Sequence, residues 1–288
     1  METQMTPSYP HITRQGAAPH GAWPDDVRCL VAYTVDFDGM GNEVGKGLDP
    51  YGAHSAGRYS ARRGVPRHLD MLDRLGIPAT FFVPGYDAQC FPDAVRQITQ
   101  RGHEVGAHGY VHEGTLLPPQ EERRRLRLTH EILTEVTGSA PVGWRSPSGQ
   151  KTAVTLPTLR ELGYLYDSSD KDADTPYLLK VGDGSMVEIP NNTYSLDDFP
   201  FFHFSMTPVS EAAEQWKEEF DARFAEGGFF MLTVHPRAGW GSGTPARVAA
   251  IEDVLRYIRQ HQGVRFSNLR GIQELVARDT MRFDEVRV

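Results

Sequence analysis

Cysteine is scarce in this 288-residue chain: Cys29 and Cys90 are the two it has. They are too few for the disulfide lattice of a small secreted domain, and a chain of this size does not need one. Two buried thiols are expected. Long apolar runs are also missing. No window approaches the roughly 18 apolar residues of a membrane span. The opening segment, METQMTPSYPHITRQGAAPHGAWPDD, lacks the basic start and apolar stretch of a secretory leader. The expectation is a cytoplasmic, soluble protein with no membrane partner. Basic excess is lacking as well: 30 Lys+Arg stand against 38 Asp+Glu, a net charge of −8. This speaks against a surface built to neutralise phosphates, and so against a nucleic-acid partner.

With 39% hydrophobic and 24% charged residues, what is present is globular. From Pro10 to Pro24 the chain is rich in Pro, Gly, His and Ala without a period, so residues 1–24 read as an extended arm and residues 25–288 as the folded domain. Arg28 to Asp38 has the β-branched and aromatic character of a buried strand. The Gly-rich stretch Gly39 to Gly64 reads as a long functional loop. Leu69, Leu72 and Leu75 then fall at helical spacing before the stop at Gly76, and a strand, Ala79 to Val83, follows. This strand and helix rhythm recurs to the C-terminus. It implies crossover connections and a mostly parallel sheet covered by helices. No polar linker divides the chain, which favours one (β/α) barrel of about seven strands over a doubly wound sheet.

Chemistry in such barrels sits on loops at the carboxyl ends of strands, and the ionisable residues fall there. Asp36 and Asp38 end the first strand, His108 and His112 follow the strand ending at Ala107, and Arg145, Asp167 and His235 each close another apolar run. Asp36 and Asp38 stand two apart, so within a strand they share a face. A cation, a shared proton or solvent must then relieve their repulsion. His108 and His112 are four apart and would share one side of a helical turn. Two His and a carboxylate form a ligand set for an open divalent site, although neither zinc-helix signature fits this spacing. Such a cation lowers the pKa of water toward about 7. Asp36 could then take the water's proton, His235 could donate one to a leaving nitrogen, and Arg145 would stand beside Asp36 as its cation.

The segments VAYTVDFD, HEVGAHGYVHE, VEIP and MLTVHP together resemble the polysaccharide deacetylase family, the NodB-homology or carbohydrate esterase family 4 fold. The resemblance runs from about Asp25 to Leu275. It is strongest to the subgroup that holds the Helicobacter peptidoglycan deacetylase, cyclic imide hydrolases and metal-independent bacterial allantoinase. It implies that Asp36 is the catalytic base, that Asp38, His108 and His112 bind a divalent metal, most simply zinc, and that His235 is the general acid. Arg145 looks like the Arg that orients the base. Tyr110, Trp144 and Pro236, which stand beside those residues in the chain, are the expected substrate contacts. Asp167 lies in the region of the family's fourth motif without its usual Asp-Trp pair. In the first motif the family normally has adjacent Asp residues, and here Phe37 intervenes.

The expected function is metal-dependent hydrolysis of a non-peptide carbon–nitrogen bond in a small amide, a cyclic imide or an N-acetylated sugar. The aromatic stretch Phe199 to Phe204 could roof such a site. Three alternatives remain: polysaccharide deacetylation proper, an allantoinase-like hydrolase without metal, and a non-catalytic ligand-binding barrel. The resemblance also implies a homo-oligomer.

Overall fold

The computed structural model describes residues 12–13, 23–24, 26–114, 116–280 and 283–287. Most of the expected N-terminal arm lies outside the described residues. Their strands are β1 Ile12–Thr13, β2 Cys29–Asp36, β3 Thr80–Val83, β4 Glu104–Ala107, β5 Gly143–Trp144, β6 Tyr166–Asp167, β7 Tyr177–Val181, β8 Gly184–Glu188, β9 Phe229–Val234, β10 Val264–Phe266 and β11 Glu285–Arg287.

The expected α/β architecture is what forms. Strands run in the parallel order β9–β2–β3–β4–β5–β6–β8. Between β8 and β9 the ring is bridged by the segment after β8: Asp197 pairs with Thr233, whose N–H donates to the Leu196 carbonyl at 2.9 Å. β10 adds in parallel to the start of β2. β7 pairs antiparallel with β8, and β11 and β1 extend that side.

Side-chain parity along β2 explains both the core and the site. Val31, Tyr33 and Val35 point outward into the main cluster under the helices, with Phe37 continuing it. Leu30 and Ala32 point inward to a second cluster with Phe82, Tyr166 and Met231. Thr34 and Asp36 continue that inner row, so the barrel interior grades from apolar to polar toward the carboxyl end of the strand. The helices 65–75, 92–100, 119–137, 155–161, 209–226 and 245–259 supply the outer layer. Leu69, Leu72 and Leu75 are buried as their spacing predicts, and Gly76 ends that helix in the left-handed conformation.

Four expectations are corrected. The Gly39–Gly64 stretch is not a loop but a chain of short helical turns, 41–44, 52–54, 56–59 and 60–64. Several of its glycines serve close packing: a Cβ at Gly57 would lie 2.5 Å from the Gly39 carbonyl oxygen, and one at Gly64 would lie 1.8 Å from that of Pro236. The β7–β8 hairpin was not expected, because charged and glycine residues around its Gly182–Asp183 turn obscure the alternation. Phe199–Phe204 is no continuous roof, since Phe201 and Phe202 are buried in the core while Phe204 is exposed. Cys29 is buried as expected, but Cys90 is exposed.

Candidate active site

Asp36, the last residue of β2, and Asp38, two further on, both turn into the barrel mouth. Strand alternation does this for Asp36. Beyond the strand, Asp38 adopts a positive φ of 36°, and it is this left-handed residue that brings its carboxylate beside the first. His108 follows β4. Its Nδ1 faces the Arg145 carbonyl at 2.9 Å, so the N–H points outward and the Nε2 lone pair faces the cluster. His112 reaches the same point without the expected helical turn. Gly109 and His112 have φ of 66° and 55°, and these two left-handed residues fold the loop back until the imidazoles meet edge to face, 5.2 Å between centroids.

His108 Nε2 lies 3.4 Å from one Asp38 oxygen and 3.9 Å from Asp36, while His112 Nε2 lies 3.2 Å from the other Asp38 oxygen. Ligand atoms of Asp38, His108 and His112 all fall within 4.8 Å of one another. Burial alone would raise the Asp38 carboxyl, but His112, His108 and His235 reverse this and hold it well below the usual carboxylate range. Burial likewise opposes a charged His108, yet Asp36 and Asp38 outweigh it and raise its pKa. Asp38 Oδ1 is buried and has no hydrogen-bond partner. An orphaned carboxylate oxygen facing an imidazole lone pair suits a divalent cation, so the residues present fit such an ion.

Arg145 follows β5 inside the barrel, 1% exposed. Its Nη1 donates to Asp36 at 2.7 Å and to Thr34 at 3.0 Å, and the guanidinium lies 4.2 Å over the Phe82 ring. Opposite stands His235, after β9. Its Nε2 is 3.9 Å from Asp38 and its Nδ1 is 2.6 Å from Asp198 Oδ1. Burial disfavours the imidazolium, but Asp198 and Asp197 overcome this and push the pKa up to about 10. Trp240 covers the same imidazole edge-on at 4.9 Å and meets Phe199 at 4.9 Å.

Asp167 serves elsewhere. Its oxygens take Lys151 at 2.6 Å and Ser169 at 2.5 Å, forming a salt-bridged group with Asp170 and Glu188. Of the expected substrate contacts, Pro236 is buried next to His235. Tyr110 turns instead to Gln89, 3.1 Å away, and Tyr86. Trp144 packs into the main core with its indole N–H unpartnered. Among the described residues no hydrogen bond, ion pair or ring contact joins either of these two side chains to the carboxylate and imidazole cluster. The sequence reading missed Asp198, Asp87, Arg237 and Trp240. The adjacent pair Asp197–Asp198 was the available signal for the first of these.

Fold and cluster define a barrel hydrolase. Residues 56–166 match the family model described as polysaccharide deacetylase. The peptidoglycan deacetylase of Helicobacter pylori is 31% identical over 85% of this chain and 95% of its own length. The peptidoglycan deacetylase-like protein FGM2 of Gibberella zeae is 32% identical over 87% of this chain and 86% of its own. Among solved structures, one from Mycobacterium smegmatis assigned to the polysaccharide deacetylases has a TM-score of 0.84 at 36% identity, covering 95% of this chain and 97% of that one. The Puue allantoinase has a TM-score of 0.77 at 26% identity, covering 91% and 94%. The chain belongs to the polysaccharide deacetylase family, hydrolases of carbon–nitrogen bonds other than peptide bonds. Among the described residues no helix is long and apolar enough to cross a membrane.

Proposed function

We propose that the protein is a metal-dependent N-deacetylase acting on an N-acetylated amino sugar. The observation that carries this reading is the convergence of Asp38, His108 and His112 around the unpartnered Asp38 Oδ1. A divalent cation held by these three, zinc being the simplest choice for such a donor set, would supply Lewis acidity toward a water and the acyl carbonyl. The chain's own residues do the rest. Asp36 accepts the proton of the attacking water, oriented by Arg145 Nη1 at 2.7 Å. The water's oxygen adds to the acyl carbon, the C–N bond breaks, and His235 Nε2 gives its proton to the departing nitrogen. Asp198 fixes the His235 ring so that Nε2 faces the cluster. The products are a carboxylic acid and an amine.

A second reading, hydrolysis of a small cyclic amide or imide, has its own support. The site side chains are nearly closed off, Asp38 and His108 at 2% exposure and His112 at 14%. Phe199 and Trp240 line the rim, and the allantoinase is similar over most of both chains.

The test is elemental analysis of the purified protein with an assay panel of N-acetylated sugar oligomers, cyclic imides and allantoin. About one equivalent of divalent metal together with acetate release from the oligomers is expected. Full activity after exhaustive chelation would end the metal reading, and turnover of imides alone would favour the second.

A further inference from the structure

The turn that follows Asp38 is held on both sides by buried ionisable side chains for which the proposed reaction has no use. From one side Asp87, fully buried after β3, accepts the N–H of Gly39 at 3.1 Å and of Gly41 at 3.0 Å, one on each oxygen. From the other side Arg237, two residues beyond His235 and 2% exposed, donates from Nη1 to the Asp38 carbonyl at 2.7 Å and the Gly39 carbonyl at 3.0 Å. Its Nη2 is closed by the buried carboxylate of Glu43. Ser60 adds a second donor to the Asp38 carbonyl at 3.2 Å. The glycines fit the same purpose, since a Cβ on Gly39 would lie 2.3 Å from Asp87 Oδ1.

Asp38 is a non-glycine residue at φ 36°, a conformation that persists only where the surroundings impose it. Five hydrogen bonds to the peptide groups that follow it supply that imposition. Without it the backbone would relax toward extended geometry and carry the carboxylate away from His108 and His112. We infer that Asp87, Arg237 and Glu43 are positioning residues that hold Asp38 in ligand geometry and thereby set the metal affinity of the site. This rests on the metal reading above. Arg237 also lies in the same short segment as His235, so the clamp ties the proposed general acid to the proposed ligand through one loop.

The experiment measures the dissociation constant for Zn2+ alone, by chelator competition on the full-length metal-free protein, for wild type, Asp87→Asn, Arg237→Lys and Ser60→Ala. Melting temperatures of the same metal-free samples are recorded alongside, as is the absorption spectrum with Co2+. Asp87→Asn leaves one acceptor oxygen for two N–H groups, and Arg237→Lys keeps the charge but loses the fork. Each is expected to weaken Zn2+ about tenfold or more and to alter the Co2+ spectrum. Ser60→Ala, which folds most safely, should weaken it a few-fold in the same direction. Variants that melt lower but bind Zn2+ as tightly as wild type would overturn the inference and leave the metal reading intact. A wild-type protein that binds no Zn2+ would overturn both.

Discussion

His235 and Asp198 are joined twice: the imidazole Nδ1 lies 2.6 Å from one carboxylate oxygen, and the His235 backbone N–H donates to the other at 3.0 Å. This double contact fixes the ring and, against the cost of burial, lifts its pKa to about 10. If His235 must deliver a proton, kcat/KM should hold through neutral pH and decline above about pH 10. Asp198→Asn removes the main raising charge, so the alkaline limb should move toward neutrality. A pH–rate profile of the variant with an unmoved limb would count against the assignment. Stability follows with a definite sign. The folded pKa lies above the ordinary 6.5, so the pair's contribution is full below about 6.5 and is lost as pH rises through about 10. Metal-free wild type should lose more melting temperature between pH 7 and 10 than Asp198→Asn does.

Arg145 and Asp36 form a second buried pair. Asp36→Asn keeps a hydrogen-bond acceptor for the guanidinium but removes the proposed base. Its kcat should fall about 10²–10⁴-fold while metal content, read by elemental analysis, stays at wild-type level. Arg145→Met should behave differently. It leaves a buried carboxylate without its cation and is expected to cost about 3–5 kcal/mol of stability in denaturant unfolding.

Removing the metal should cost both activity and stability. A cation at 100 times its dissociation constant adds about 2.7 kcal/mol to a fold that alone can bind it. Zn2+ should therefore raise the melting temperature of chelated wild type and restore turnover, and should do neither for His112→Ala. An equal thermal response in the variant would place the ion elsewhere.

Gly64 packs its α-carbon against the backbone after β9, where an added Cβ would lie 1.8 Å from the Pro236 carbonyl oxygen. Neither backbone can yield easily. Gly64→Ala should cost roughly 1–3 kcal/mol by overpacking, and because Pro236 follows His235 it should also lower kcat. Calorimetry with steady-state kinetics on one preparation checks both.

The strand and helix rhythm was legible because buried parallel strands and amphipathic helices write their periods into local sequence, as Leu69, Leu72 and Leu75 do. Asp36, Arg145 and His235 could be placed at one rim for the same reason, since each directly ends an apolar run. The reasons given for Asp38 and His112 did not survive, although both residues arrive where expected. The strand stops at Asp36, and positive φ at Asp38, Gly109 and His112, rather than strand or helix spacing, aims the side chains. The short helices of 41–64 stayed hidden because glycine-rich turns of three to five residues are held by close backbone approach and carry no period of their own.

The sequence by itself determined the α/β class and the set of side chains able to do hydrolytic chemistry, since alternation and strand-end position are local properties of the chain. Tertiary structure alone decided that Asp198 backs His235, that Arg237 and Asp87 grip the turn after Asp38, and that Trp144 packs in the core. Those choices depend on which segments the closing barrel brings together across as many as 199 positions of sequence, as between Asp38 and Arg237, and no local pattern encodes such a meeting.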